Sequence, residues 1–328
     1  MILSVSNEYD IVIEPGVLQK AEAYLDLDRK VLVVTDSGVP KEYAKALVKK
    51  CKEPHLVTLP MGEESKNMDN FILLQKEMVS ASFSRGDCVV AVGGGVVGDI
   101  CGFAASCYMR GIDFYNIPTT LLSQLDSSIG GKTAIDFLGV KNIVGSFYKP
   151  KRVLIDPEAL KTLDERQLHA GLAEAIKMAV TSDEELFSFI ENSVCLTKDL
   201  PTIIERALSI KKAVVEEDFK ETGPRRILNF GHTVGHAIES LLGGEWLHGE
   251  CVALGMTYFS SQTVLNRLLP LLERYKLPTK ADFNKDDLLP YLKRDKKAVD
   301  GGVLTVLADE IGKGYIKTLS FDELLQRI

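Results

Sequence analysis

The sequence predicts an α/β domain built on a parallel sheet, followed by an all-α domain, and three observations carry that expectation. Short β-branched runs alternate with amphipathic helical patterns through the first half of the chain. A run of glycines follows one of the buried strands. Beyond Asp156-Pro157 strand patterns almost vanish and helical ones dominate. Strand–helix–strand order calls for a parallel sheet with helices on both faces. The boundary is placed at Pro157, giving domains 1–157 and 158–328. No internal repeat or low-complexity linker separates them, so the two are expected to abut around a cleft.

Taken in order, Lys30–Asp36 reads as a buried strand that ends in polar residues. Lys41–Lys50 reads as a helix with Tyr43, Ala44, Leu47 and Val48 inward. His55–Pro60 is a second strand. Met68–Ala81 is a second helix, with Phe71, Leu74, Met78 and Val79 inward. Cys88–Val92 is a third strand, and Phe114–Pro118 and Arg152–Asp156 are two more. Helices follow over Gln167–Thr181, Glu184–Asn192 and Leu200–Glu217. Near the end only Val303–Leu307 reads as a strand.

At 328 residues, two domains are the default expectation. The net charge of −7 and pI of about 5.4 argue against a general nucleic-acid or anionic-membrane surface. The segment Cys88–Met109 is apolar, but Asp99 at its centre and its glycines argue against a membrane span. Met1–Asp10 has no basic start and no apolar block, so no signal peptide is expected. Six cysteines without a C-x-x-C pair read as reduced thiols of a cytoplasmic protein.

The run Gly93-Gly94-Gly95-Val96-Val97-Gly98-Asp99 lies between a strand and a helical pattern. Glycines there let backbone N–H groups approach a phosphate, and the helix adds its positive end. A tight turn is the plainer alternative. Met61–Lys66 lies at the same carboxyl edge, where ligands bind in such sheets. Gly130-Gly131-Lys132-Thr133 resembles the tail of a P-loop, but the earlier glycine is missing and Asp126 precedes it, so ATP binding is rejected. Lys132, Lys141 and Asn142 still make an anion site plausible, extended by Arg110, Lys211 and Arg225. Their clustering in an acidic chain points to an anionic substrate.

Asn229–His236 and Trp246–Cys251 hold three of the five histidines. His232 and His236 share a helix face, and His248 returns before the next apolar run. Such a set can close around a divalent metal. The alternative is a helix hairpin whose imidazoles bond to backbone. Glu174 lies in a largely apolar helix, Gly171–Val180, and needs a strong partner if buried.

These motifs together resemble the 3-dehydroquinate synthase family. The resemblance rests on Gly93–Asp99, the block Pro118–Thr133, Lys141-Asn142, Leu172-Ala173-Glu174, Asn229–His232 and Leu247–Glu250, and runs from about Asp36 to Lys297. It implies a Rossmann-like NAD-binding domain and a helical domain holding Zn2+ or Co2+, in a cytoplasmic homodimer. It implies metal ligands Glu174, His232 and His248, which frees His236 for acid/base work. NAD would contact Asp36, Gly62, Glu63, Glu64, Ser65, Lys66, Gly94, Gly95, Val96, Val97, Gly98, Asp99, Thr119, Thr120, Lys141 and Thr162. Substrate would meet Arg110, reaching across the dimer, with Asp126, Lys132, Asn142, Lys211, Arg225, Asn229 and Lys297 or its neighbour Lys296. Catalytic roles are implied for His236, Glu221, Lys132, Lys177, Lys211 and Arg225. Gly38 and Ala170 stand where some members carry cofactor contacts.

The implied reaction takes 3-deoxy-D-arabino-heptulosonate 7-phosphate to 3-dehydroquinate and phosphate, a step of the shikimate pathway. A hydroxyl is transiently oxidised, phosphate is eliminated, the ketone is reduced, and the opened ring closes by an aldol reaction. A sister sugar phosphate cyclase and a metal-dependent NAD polyol dehydrogenase are the alternatives.

Overall fold

The computed structural model describes residues 1–294, 298–299 and 302–328. The chain forms two compact units, Met1–Leu163 and Asp164–Ile328.

The first unit contains β1 (Ile2–Val5), β2 (Tyr9–Ile13), β3 (Lys30–Asp36), α1 (Lys41–Val48), β4 (Glu53–Leu59), α2 (Met68–Ser80), β5 (Cys88–Gly93), α3 (Gly95–Cys107), β6 (Asp113–Pro118), β7 (Lys132–Phe137), β8 (Val140–Phe147) and β9 (Arg152–Ile155). Seven strands form one sheet in the order β1-β2-β9-β6-β5-β3-β4. All its pairs are parallel except β1 with β2. Alternation along β3 explains why both faces are covered. Leu32 and Val34 enter the core shared with α2 and α3, while Val31 and Val33 enter the core shared with α1. The chain steps from β3 outward to β4 and then returns to place β5 on the other side of β3. That reversal leaves a crevice beyond the carboxyl ends of β3 and β5, the usual place for a ligand in an open α/β sheet.

Two hairpins fall outside the strand–helix rhythm of the sequence. β1–β2 extends the sheet edge in antiparallel register. β7–β8 forms a separate ribbon through a two-residue turn, with Leu138 at φ 50° and Gly139 at φ 76°. Positive φ at both positions gives the twist that favours a tight hairpin.

The second unit contains α4 (Glu165–Ser182), α5 (Glu184–Glu191), α6 (Leu196–Glu217), α7 (His232–Leu241), α8 (His248–Tyr258), α9 (Gln262–Arg274), α10 (Leu289–Arg294), β10 (Ala298–Val299), β11 (Gly302–Glu310), β12 (Lys313–Ser320) and α11 (Phe321–Arg327). It is helical but not free of strands, so the all-α expectation is corrected in that respect. β10, β11 and β12 form an antiparallel sheet. Val303–Leu307 lies in β11; β12, with its lysines and exposed residues, has no continuous apolar run to announce it.

Helices α4, α7 and α8 pack at backbone distance. A Cβ on Gly249 would lie 1.8 Å from the Ala170 carbonyl oxygen, and one on Gly255 would lie 2.0 Å from that of Gly231. No side chain fits at either place, so α8 can lie this close to α4 and α7 only through glycine. Gly249→Ala is therefore expected to lower the unfolding free energy of this unit by about 1–3 kcal/mol through overpacking. Urea denaturation followed by circular dichroism would measure it, and an unchanged midpoint would contradict the packing argument.

Candidate active site

At the carboxyl edge of the first unit, α3 begins at Gly95 with Gly94 as N-cap, and no side chain caps its first N–H groups. Helix N-termini of this kind accept anions. Thr119 donates its N–H to the Gly93 carbonyl, and Gly94 sits against Thr120, whose Cγ2 a Cβ there would approach to 3.1 Å. At the end of β3, the Asp36 carboxylate accepts the N–H groups of Gly38 and Val39, at 2.8 and 3.2 Å. Asp36, Gly94–Asp99, Thr119 and Thr120 thus share one edge. Thr162 is hydrogen-bonded to the hydroxyl of Tyr43, in the first turn of α1, at 2.8 Å.

The Gly62–Lys66 loop is tied into this edge by its last residue. Lys66 is buried, and its ammonium pairs with Asp99 Oδ2 at 2.7 Å and donates to the Asn142 side chain. Glu63 stands 3.6 Å away. Burial pushes the Asp99 carboxyl up to about 6, against the pull of Lys66. One lysine therefore joins the loop, helix α3 and the β7–β8 hairpin. Asn142 is further fixed by its N–H, which donates to Asp136 at 2.8 Å. Lys132, Lys141 and Arg110 are exposed, and Asp126 is half-buried.

The second unit gathers the other candidates. Glu174 on α4 is fully buried, with Lys177 Nζ 2.5 Å from Oε2. Its Oε1 receives no hydrogen bond, yet His232 Nε2 and His248 Nε2 stand 3.6 and 3.5 Å from it. Two ligands bound tetrahedrally at zinc-like bond lengths would be about 3.3–3.6 Å apart. The buried, orphaned oxygen and its two imidazoles therefore have the spacing of a divalent-ion site. The far ring nitrogens are anchored: His232 Nδ1 to the Phe230 carbonyl at 3.0 Å, His248 Nδ1 to Glu239 at 3.1 Å. Both Nε2 atoms face the Oε1 of Glu174.

The potential ligand atoms of His232, His236 and His248 also lie within 4.8 Å of one another. Burial opposes the charge of Glu174, but Lys177 and then His248 outweigh it and hold the carboxyl at about 2. Glu250 belongs to a different network. Arg166 grips its two oxygens at 2.7 Å each, and it accepts the Leu247 N–H at 2.7 Å, which fixes the start of α8 and hence His248.

Nearby in the chain, Arg225 is buried and donates to the Phe219 carbonyl at 2.5 Å, and Lys211 on α6 is also buried. The Asn229 amide donates to Glu221 Oε1 at 2.6 Å, with Glu221 at φ 59°. Lys296 and Lys297 lie outside the described residues. Sequence reasoning missed Glu239; its spacing from His232 and His236, i+7 and i+3, was the available signal. No described helix is long and apolar enough to cross a membrane, and the six cysteines are free thiols.

The fold is that of the sugar phosphate cyclases. A 2-deoxy-scyllo-inosose synthase, solved with carbaglucose-6-phosphate, NAD+ and Co2+, superposes with a TM-score of 0.90 at 28% identity, covering 99% of this chain and 97% of the other. The 2-epi-5-epi-valiolone synthase of Streptomyces hygroscopicus, solved with NAD+ and Zn2+, gives 0.88 at 30% identity, covering 97% and 94%. The sequence profile described as 3-dehydroquinate synthase N-terminal matches residues 56–170, and the C-terminal one matches 171–298. The 3-dehydroquinate synthase of Vibrio atlanticus is 42% identical, over 94% of this chain and 92% of its own length. The chain belongs to the 3-dehydroquinate synthase family.

Lys66→Met is expected to leave Asp99 as a partly buried, unpaired carboxylate. Breaking such a pair typically costs about 3 kcal/mol or more. Denaturant titration of wild type and variant would measure the loss. Equal midpoints would show that Lys66 does not hold this edge together.

Proposed function

We propose that the chain converts 3-deoxy-D-arabino-heptulosonate 7-phosphate into 3-dehydroquinate and inorganic phosphate, using NAD and one divalent ion, zinc or cobalt. The observation that carries this reading is the approach of His232 and His248 to the orphaned Oε1 of Glu174, in a chain 42% identical to a 3-dehydroquinate synthase. Glu174, His232 and His248 would hold the ion, since one hard oxygen and two imidazoles leave positions for substrate oxygens. Held there, the ion would supply Lewis acidity toward substrate hydroxyls, and NAD a reversible hydride acceptor.

The chain's own residues bind, orient and move protons. His236 neighbours His232 and His248, with ring centroids 5.1 and 5.6 Å away, and serves as acid and base to the substrate. Glu221, steadied by Asn229, is a second proton acceptor. Lys177 balances the charge of Glu174 and stands ready to bond a substrate oxygen. Lys211 and Arg225 are buried cations, suited to a carboxylate or phosphate held away from water. Lys132, Asn142, Asp126, Arg110 and Lys297 complete the substrate set. NAD is assigned to Asp36, the Gly62–Lys66 loop, Gly94–Asp99, Thr119, Thr120, Lys141 and Thr162. The carboxyl edge at the strand-order reversal supports that assignment. The protein is further assigned to the cytoplasm as a homodimer, with Arg110 serving the partner's substrate.

Two experiments test the reading. His232→Ala should lose the ion, whereas His236→Ala should retain it and turn over about 100-fold or more slowly, as expected for loss of a general acid/base. Metal content by atomic emission would show whether both variants lose the ion equally, which would reverse the assigned roles. With the heptulosonate phosphate and catalytic NAD, phosphate should accumulate with no net rise in NADH absorbance. NADH rising in step with substrate loss would instead mark a dehydrogenase. Turnover only of a sugar phosphate without a carboxylate would mark a sister cyclase.

A further inference from the structure

His248 is the first residue of α8, and its ring is addressed from both sides. Its Nδ1 stands 3.1 Å from Oε2 of Glu239, and its Nε2 stands 3.5 Å from Oε1 of Glu174. Glu239 lies on α7 on the same helical face as His232 and His236. Its side chain is only 15% exposed, so water screens the contact weakly.

We propose that Glu239 is a positioning residue for the divalent ion: its carboxylate accepts the Nδ1–H of His248 and leaves the Nε2 lone pair facing Glu174. The proposal rests on the metal site described under the proposed function. A neutral imidazole carries one proton, and the hydrogen bond made by one nitrogen decides which tautomer is present. Were the proton on Nε2, it would point at Glu174 Oε1, and that nitrogen could not ligate. His232 meets the same requirement with a neutral acceptor, the Phe230 carbonyl at 3.0 Å. Glu239 meets it with a charged one, which also makes the imidazole a stronger donor to a cation. Glu250 does not do this for His248, because Arg166 and the Leu247 N–H occupy its oxygens.

The test uses the full chain stripped of metal and titrated with Co2+ against a chelating dye, with the visible Co2+ absorption recorded. Wild type, Glu239→Gln and Glu239→Ala are compared after circular dichroism has shown equal helix content. Loss of an outer partner of a ligating histidine typically weakens metal binding about 10–100-fold, and that loss is expected for Glu239→Ala. Glu239→Gln, nearly the same size, should lose less, because its carbonyl oxygen still accepts the Nδ1–H. It carries the test alone if the alanine variant misfolds. Both variants should shift the Co2+ absorption bands. Equal affinity and unchanged spectra in the folded variants would overturn the role of Glu239. No Co2+ uptake by wild type would instead overturn the metal site itself.

Discussion

A carboxylate buried in an apolar helix is the constraint on which the second unit depends. Glu174 has no exposed surface and lies between Ala173 and Ala175, with Leu172 and Ile176 beyond. An ionised carboxylate in such a place costs several kcal/mol unless cations or donors compensate it. Lys177, one helical turn on, supplies one cation. The imidazoles of His232 and His248 complete the surroundings, and they reach Glu174 only because glycine lets α8 lie against α4 and α7. Backbone packing and electrostatics therefore depend on each other here. The helices close up at Gly249 and Gly255, and the charges justify their doing so.

A second buried charge organises the edge of the first unit. Lys66 brings together a loop after β4, helix α3 and the β7–β8 hairpin by pairing with Asp99 and Asn142. The sheet puts the carboxyl ends of β3, β5 and β6 side by side, and the ion pair then fixes the loops that crown them. This edge is thus built from segments distant in the chain, joined through the side chain and the backbone carbonyl of Lys66.

Much of the fold was legible because its period was local. Parallel strands β3, β5 and β9 are short β-branched runs buried on both faces, β4 lies at the sheet edge with one face exposed, and each helix repeats apolar residues at three and four, so β3 to β6, β9, α1, α2 and α4 stand in the sequence to within a few residues. β1–β2, β7–β8 and β12 did not. The side chains of β1, β8 and β12 are mostly exposed or half-exposed, and each of these strands enters an antiparallel pair outside the strand–helix rhythm. In the site, the histidine spacing and the glycine run were visible as patterns, while the partners of those residues were not.

The sequence by itself determined the residue types available for chemistry, their spacing along each helix, and the order of strands and helices. These follow from covalent order and helical or strand period, which need no distant partner. Only the tertiary structure decided that Glu174 Oε1 faces two imidazoles, that Glu250 is held by Arg166 while Glu239 meets His248, and that Lys66 reaches Asn142. Those outcomes depend on how closely helices approach and which charges are removed from water together. Both are set by packing between segments far apart in the chain, so no local pattern of residues encodes them.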